Sequence, residues 1–261
     1  METIRLGGMA LQNGVLVHGP TSWAAAVRDE RGGILVASGP KRRFAPNVTT
    51  PFVRGPLRLA EAFAVLPDVK RRLPEVRFPF ERPAVAGAVV AGSALAAAAR
   101  RAPISALARE AVAAIASLAP AAVALRGGEL AAYHGAEHVS IGTYERGGEP
   151  APKEHDRCGS HLLGPLLASS VVVGALAARV PGRARGLARA AGAVGAVGVS
   201  VEIFGWMGRH PSNPVARALA RPGYELQHRL STATPSSAQL EVAEHALAAC
   251  LAAEATAGTT G

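Results

Sequence analysis

Four stretches of the chain are almost wholly apolar, and they predict membrane-spanning helices. They are Ala84–Ala99, Ile104–Leu125, Leu162–Ala178 and Ala190–Met207. A helix needs about 20 apolar residues to cross the hydrocarbon core of a bilayer, with a lower limit near 17. The stretches are short by this rule and rich in Ala, so each one taken singly also suits a buried helix of a soluble bundle.

The way the stretches pair favours the membrane. The first two are separated only by Arg100-Arg101-Ala102-Pro103, and the last two only by a short basic turn, as in two helical hairpins. Ala84–Ala99 has Ser93 as its polar residue, whereas a soluble surface helix carries a whole polar face. Glycines in the stretches allow close approach of membrane helices. We therefore predict a mainly α-helical, polytopic membrane protein with about four short Ala- and Gly-rich transmembrane helices in two hairpins.

The two ends of the chain have a different pattern. Near the N-terminus, Trp23–Val27 and Ile34–Ala37 are joined across the turn residues 29–33, which predicts a β-hairpin. Phe52–Leu66 has a helical pattern. Near the C-terminus, an amphipathic helix is predicted to start near Pro235. Its apolar face contains Leu240, Ala243, Leu247 and Leu251.

These patterns divide the chain into five segments. They are an N-terminal cytoplasmic segment with the β-hairpin (1–83), a first transmembrane hairpin (84–125), a cytoplasmic loop (126–160), a second transmembrane hairpin (161–207) and a C-terminal cytoplasmic segment with the amphipathic helix (208–261). The orientation follows from the basic residues. Twelve Lys and Arg, Arg126 among them, flank the spans on the side of the termini and central loop, against six in the hairpin turns. We expect a multi-pass protein of the cell membrane with both termini cytoplasmic.

Charge and cysteine content add two expectations. Lys plus Arg exceed Asp plus Glu by 28 to 19, a balance typical of chains that bind nucleic acid or an anionic membrane surface. The basic residues are scattered and aromatic residues make up only 4%, too few to stack on single-stranded nucleic acid. We expect the lipid bilayer as a partner and no nucleic-acid partner. The sequence leaves open whether the protein forms a homo-oligomer. Two isolated cysteines, Cys158 and Cys250, fit a reducing compartment.

The candidate chemistry lies between the hairpins, in Tyr133-His134-Gly135-Ala136-Glu137-His138. On a helix, His134 and His138 share one face and Glu137 lies beside them. In this HxxEH order two His can hold zinc while the Glu acts on water. Short motifs also arise without function, and the alternative is a polar helix end whose histidines contact water.

Other residues are candidates for a third metal ligand. A carboxylate in an apolar stretch is costly and usually faces a partner or a cavity, so Glu202 is the leading candidate. Its alternative is a pair with Arg209 near the membrane surface. Further possible ligands are His155, Cys158 and Glu145, and the sequence does not choose among these donors. Two His with a carboxylate suit zinc and also non-haem iron(II).

Several segments occur together in an order that resembles a known family. YHGAEH is followed by Tyr144-Glu145 and by His155-x-Arg157-Cys158-Gly159-Ser160. Around them lie Gly7–Val15, Phe52–Gly55, Arg221–Gln227 and Gln239–Ala243. Together they resemble the YqhQ-like family of bacterial membrane proteins of unknown function, along nearly the whole chain.

The resemblance implies a metal-dependent enzyme, although that description of the family rests on the same His and Glu pattern. The functional residues it implies are His134, Glu137, His138, His155, Cys158 and Glu202. The sequence departs from the family at Met9, where Gln is usual, and at Asn13, where Glu is usual. Because Asn13 cannot act as a base or an anionic ligand, a chemical role for the N-terminal segment is in doubt.

The function predicted first is a metal-dependent hydrolase at the cytoplasmic membrane face. His134, His138 and Glu202 would hold zinc, or iron as the alternative, and Glu137 would accept the proton of the bound water. The second hypothesis is a non-enzymatic membrane adaptor or scaffold with structural or regulatory histidines. The third is a small transporter, for which four short spans are few unless the protein oligomerises. The sequence names no substrate.

Overall fold

The computed structural model describes residues 3–44, 46–125 and 128–258. These residues form a small sheet covered on both faces, a set of long apolar helices, and a helix that carries the HxxEH motif. Arg126, which contributed to the predicted orientation, lies outside the described residues.

The N-terminal segment forms a four-stranded antiparallel sheet in the order β1-β2-β3-β4. The strands are β1 (Gly7–Leu11), β2 (Gly14–His18), β3 (Ser22–Arg28) and β4 (Ile34–Pro40). The predicted hairpin is confirmed as β3 and β4, in which Val27 pairs with Leu35 and Ala25 with Ala37. The strands β1 and β2 were not predicted, because glycines interrupt their short apolar runs.

Both faces of the sheet are buried, since successive side chains of a strand point to opposite sides. One face packs on α2 (Leu66–Arg72) and the segment after it, around Trp23 and Val69. The other packs on α6 (Glu129–Glu145) and α10 (Ser237–Gly258). The core on this second side contains Val15, Val17, Ala24, Ala26, Tyr133, Ala136, Ile141, Val242, Ala243, Ala246 and Cys250. The segment expected as a loop at 126–160 therefore contributes a helix to a packed core.

The apolar stretches are helical. They form α3 (Pro83–Ala99), α4 (Ala106–Ala116), α5 (Ala119–Ala124), α7 (Leu163–Ala177) and α8 (Ala184–Arg209). Among the described residues, three segments are long and apolar enough to cross a membrane. They are Ala106–Ala124, Gly159–Ala177 and Ala184–Arg209. Three of the four predicted spans are therefore candidate spans by length and composition, and the count of four is not confirmed, because α3 has only 17 residues.

Helix α5 follows α4 almost directly, and the two form one apolar segment with a break at Ser117 and Leu118. The break has a local cause. Pro120 lacks the N–H that would bond to the carbonyl of Ala116, so the helical ladder is interrupted there.

The apolar helices pack as two hairpins that contact each other. Helix α3 contacts α4 and α5, α7 contacts α8, and α4 contacts α7. Glycine permits some of these contacts, as predicted. A Cβ at Gly92 would lie 2.7 Å from the Ala116 carbonyl oxygen, and one at Gly192 would lie 2.2 Å from Val173 Cγ1.

The remaining helices connect these parts. The predicted helix at 52–66 is observed as α1 (Arg54–Phe63) followed by α2. After α8 come α9 (Pro214–Leu226) and a π-helical turn, Gln227–Ser231. Helix α10 starts close to the predicted point, but its fully buried face differs from the predicted one. Val242, Ala243, Ala246 and Cys250 contact the sheet, whereas Leu240 and Leu247 pack at its margin, because small side chains allow close helix–sheet contact.

Candidate metal centre

Helix α6 runs through the whole motif and holds its two imidazoles side by side. The ring centroids of His134 and His138 are 4.4 Å apart. The opposite side of α6 faces the sheet through Tyr133 and Ala136. Gly135 permits the segment after α9 to cross the helix, since a Cβ there would lie 2.1 Å from the Ala233 carbonyl oxygen. The sheet contact thus fixes how far α6 is rotated, and with it where the histidines point.

Both histidines are oriented by backbone carbonyls. His134 Nδ1 lies 2.8 Å from the Ser231 oxygen, and His138 Nδ1 lies 2.6 Å from the Lys153 oxygen. A carbonyl oxygen only accepts hydrogen bonds, so each Nδ1 carries the proton and each Nε2 keeps a free lone pair. Metal-binding histidines are commonly held in this way. Burial also lowers the pKa of His138 to about 3, so that its ring is neutral.

Cys158 supplies a third donor beside the two imidazoles. Its Sγ lies 3.5 Å from His134 Nε2, and the Ser160 N–H donates to the sulfur at 3.5 Å. The donor atoms of His134, His138 and Cys158 all lie within 4.8 Å of one another. Bond lengths near 2.1 Å to nitrogen and 2.3 Å to sulfur place the donors of tetrahedral zinc roughly 3.5 Å apart. The three residues therefore fit a zinc ion with little movement.

Glu137 is a buried carboxylate next to these donors. It is 6% exposed, and within 3–44, 46–125 and 128–258 no hydrogen bond to its carboxylate is present. Burial raises the pKa of Glu137 to about 7. Strand β1 passes directly over it, and a Cβ at Gly8 would lie 2.3 Å from Glu137 Oε1. The carboxylate thus depends on a glycine for its place.

A cavity of about 430 Å³ opens beside the cluster, between β1 and α6. It reaches Leu125 and Pro79, near the ends of the apolar helices. The polar groups that converge on it include those of His134, Glu137, His138 and Cys158. Its size lies in the range of small-molecule sites, which is about 300 to 1,000 Å³.

Two of the further predicted donors, His155 and Glu145, bind each other. His155 Nε2 lies 3.1 Å from Glu145 Oε2, and His155 Nδ1 accepts the Arg157 N–H at 3.2 Å. Arg157 also forms an ion pair with Glu145. Since both ring nitrogens are engaged, the structure does not bring His155 into the three-donor cluster, although its ring lies 5.5 Å from that of His138.

The structure places Glu202 elsewhere as well. Its carboxylate accepts from Arg54 Nε at 2.9 Å and from the Phe52 N–H at 3.2 Å. This pair joins the start of α1 to α8 and satisfies the charge of a carboxylate in an apolar helix. Cys158, not Glu202, is the donor that lies beside the two imidazoles.

Gln227 supports the candidate site, and sequence reasoning did not single it out. It is fully buried, its Oε1 accepts the His155 N–H at 2.7 Å, and its Nε2 donates to Ser160 Oγ at 2.7 Å. These bonds hold the segment that presents Cys158 to α6. A signal was available, because Gln227 ends one of the segments that carry the family resemblance.

Asn13 has a structural role here. Its amide donates to the carbonyls of Arg28 and Glu75 at 3.1 and 3.0 Å, and its oxygen accepts the Arg77 N–H at 3.0 Å. The side chain thus ties the β1–β2 turn to the segment after α2. Met9, the other departure, lines the cavity and packs on the core around Trp23.

The fold and the site define a class of protein: mainly helical, with membrane-type helices and a possible His-His-Cys metal cluster beside a small sheet. Residues 129–253 match the family model described as "Protein of unknown function (DUF1385)". The match supports membership of that family and includes all three donors. No curated protein and no solved structure matches the chain. The family description assigns no activity, so the function has to be argued from the site.

Proposed function

We propose that this protein is an integral membrane metalloenzyme, a hydrolase, in which His134, His138 and Cys158 hold one metal ion. A single observation carries the proposal. Two neighbouring imidazoles have their Nδ1 protons committed to carbonyls and turn free Nε2 atoms toward the same space as a cysteine sulfur. Metal-ligating histidines almost always donate their second ring N–H in this way, whereas histidines exposed at a helix end have no such requirement.

The donor set favours zinc. Two imidazoles and a thiolate leave one position of a tetrahedral ion open, as in catalytic zinc sites, while non-haem iron(II) usually takes two His and a carboxylate. When bound, zinc supplies a Lewis acid that activates water near neutral pH. Iron(II) remains the alternative that metal analysis distinguishes.

Glu137 is the general base in this proposal. Its carboxylate adjoins the donors, and its raised pKa of about 7 lies where a group can both accept and release a proton at neutral pH. Glu137 accepts one proton from water as the oxygen attacks the substrate, and returns it to the leaving group as the bond breaks. The adjoining cavity would receive the carbonyl or phosphoryl group.

The membrane placement is part of the proposal. Three helices have the length and composition of spans, and the motif segments resemble YqhQ-like bacterial membrane proteins. The excess of basic residues on the side of the termini supports a cytoplasmic sheet and metal centre. The cavity then opens near the membrane surface, where Leu125 and Pro79 lie.

Metal analysis of the purified full-length protein tests the metal centre. In mild detergent without chelators, the wild type is expected to contain about one equivalent of zinc. His134→Ala, His138→Ala and Cys158→Ala should each lower the metal affinity at least tenfold, roughly the smallest effect seen for groups that merely support ligands. Glu202→Gln is the matched control and should keep the metal. A metal-free wild type would overturn the proposal.

The chemical step needs a separate variant, because an adaptor could also bind a structural metal. Glu137→Gln keeps the shape of the side chain and removes the base. We expect it to bind metal normally and to fail to complement a deletion strain at normal protein levels. Full complementation by this variant would favour the adaptor hypothesis over the enzyme.

A further inference from the structure

At the opposite ends of the apolar helices, the two hairpin turns and the adjoining ends of α4 and α8 bring arginines together around one cavity of about 700 Å³. The turns follow α3 and α7, whereas the metal donors adjoin the other ends of these helices. Six arginines line the cavity: Arg100, Arg101, Arg109, Arg179, Arg185 and Arg189. They come from both hairpins, so this grouping arises only when the hairpins pack.

Glu110 is the acidic residue among those that line the cavity, and its carboxylate is already paired with two of the arginines. It is 5% exposed and accepts from Arg100 Nε at 3.1 Å and from Arg189 at 2.9 Å. Gly174 allows α7 to pack on it, since a Cβ there would lie 2.7 Å from Glu110 Oε2. One carboxylate against six guanidinium groups leaves a strong positive excess in the cavity.

Two of the guanidinium groups have buried donors without acceptors. Arg109 Nε and Arg189 Nε are inaccessible to solvent and have no hydrogen-bond partner within the described residues. A buried donor left unpaired costs about 1–3 kcal/mol, and more when it is charged. Arginines that simply extend into the headgroup region would keep these atoms in water. The acceptors of the described residues therefore leave these two guanidinium groups of the cavity wall incompletely satisfied.

We infer that this cavity binds a phosphate-bearing anion between the two hairpins. Arginine forks match phosphate oxygens and form strong, charge-assisted hydrogen bonds with them. The favoured source is the headgroup of an anionic phospholipid, because the turns of membrane hairpins lie at headgroup level. This choice of source rests on the proposed membrane placement. The anion site itself rests only on the arginine cluster, and it is independent of the metal centre.

Binding measurements on the full-length protein in a neutral detergent test the inference. The three probes are phosphatidylglycerol, phosphatidylcholine and inorganic phosphate, with native mass spectrometry for the lipids and thermal shift for all three. We expect phosphatidylglycerol to bind about tenfold more tightly than phosphatidylcholine, and Arg109→Gln to lower that affinity about tenfold. Binding of inorganic phosphate, with no preference between the lipids, would identify a soluble phosphate as the source.

Arg183→Gln is the matched control, because it also removes one guanidinium charge, and Arg183 lies in the turn of Arg179 but does not line the cavity. It should leave binding within about twofold of wild type. Arg179→Gln, an exposed residue of the cavity, keeps the test valid if Arg109→Gln does not fold. Equal losses in Arg183→Gln and the cavity variants, or no binding of either phosphatidylglycerol or phosphate in excess of phosphatidylcholine, would overturn the inference.

Discussion

At the residue scale, the candidate metal cluster depends on backbone groups more than on neighbouring side chains. The carbonyls of Ser231 and Lys153 set the tautomers of His134 and His138, and thereby decide which nitrogens are free. Neither carbonyl belongs to the motif. The HxxEH motif therefore supplies two of the three candidate donors, and backbone carbonyls outside the motif orient them for a metal.

The contact between β1 and Glu137 leads to the first prediction at this scale. Gly8→Ala would place a Cβ 2.3 Å from Glu137 Oε1, so the carboxylate or the strand must shift. We expect the free energy of unfolding to fall by about 1–3 kcal/mol, as in other overpacked sites. Melting in detergent measures the effect. Gly159→Ala is the control, because it lines the same cavity and its added Cβ meets no atom within 4 Å.

His18 predicts a pH dependence of stability. Burial, and then the charge of Lys41 with Nζ at 3.2 Å, lower its pKa from 6.5 to about 4, while Glu254 acts in the opposite direction. Below pH 6.5, His18 binds a proton in the unfolded chain but not in the folded protein. Stability is therefore lost as the pH falls toward 4. His18 therefore lowers the free energy of unfolding by about 2 kcal/mol as the pH falls from 7 to 5.

The comparison of wild type with His18→Gln isolates this contribution from the carboxylates that titrate in the same range. The variant should lose less stability than the wild type between pH 7 and pH 5, as measured by melting in detergent. Equal losses in the two proteins would show that His18 is protonated without penalty.

At the scale of elements, α10 stabilises the sheet through one carboxylate. Glu254 is almost fully buried, and its Oε1 accepts the N–H groups of Thr21 and Ser22 at 2.8 and 2.7 Å. Its Oε2 accepts the Thr21 hydroxyl at 2.7 Å. The side chain thus fastens the β2–β3 turn to the last helix of the chain.

Glu254→Ala should therefore lower the free energy of unfolding by about 2–3 kcal/mol, because it leaves buried N–H groups without an acceptor. Glu244→Ala, at an exposed position of the same helix, should change it by less than about 0.5 kcal/mol. Melting of the two variants side by side measures the difference. A comparable loss in both would mean that the helix, not the carboxylate, is responsible.

At the scale of the whole molecule, the apolar helices separate two polar sites. On one side, α6 and the segment before α7 carry the candidate metal donors, next to the sheet and α10. On the other side, the hairpin turns and the adjoining ends of α4 and α8 form the arginine cavity. The ion pair of Arg54 and Glu202 links the first side to α8. If the protein spans the membrane as proposed, the two sites face opposite surfaces.

Labelling with a membrane-impermeant maleimide in intact cells tests this arrangement. The native chain should remain unlabelled, because Cys158 and Cys250 both belong to the side assigned to the cytoplasm. Arg183→Cys, in the second hairpin turn, should become labelled. Glu30→Cys, exposed in the β3–β4 turn, should be labelled only after the cells are opened. Labelling of Glu30→Cys in intact cells would contradict the orientation.

Much of the fold was predictable because its signals are local. Long runs of Ala, Val, Leu and Gly with few charges predict the apolar helices, and the turn residues 29–33 predict the β3–β4 hairpin. The spacing of His134 and His138 places them on one helical face without further information. The strands β1 and β2 were not predicted, because glycine has a low strand propensity. In the structure these glycines permit close contacts, such as that of Gly8 with Glu137.

The sequence by itself therefore determined the apolar helices, the placement of His134 and His138 on one helical face, and the position of Glu137 beside them. Only the tertiary structure brings Cys158 beside the two imidazoles, because candidate donors outside α6 approach that helix only through packing. Arg54 neutralises Glu202 from 148 positions away. Through hydrogen bonds to His155 and Ser160, Gln227 holds the segment that places Cys158 beside His134. The arginine cavity has the same origin, since its charges come from two hairpins and become one site only where the hairpins meet.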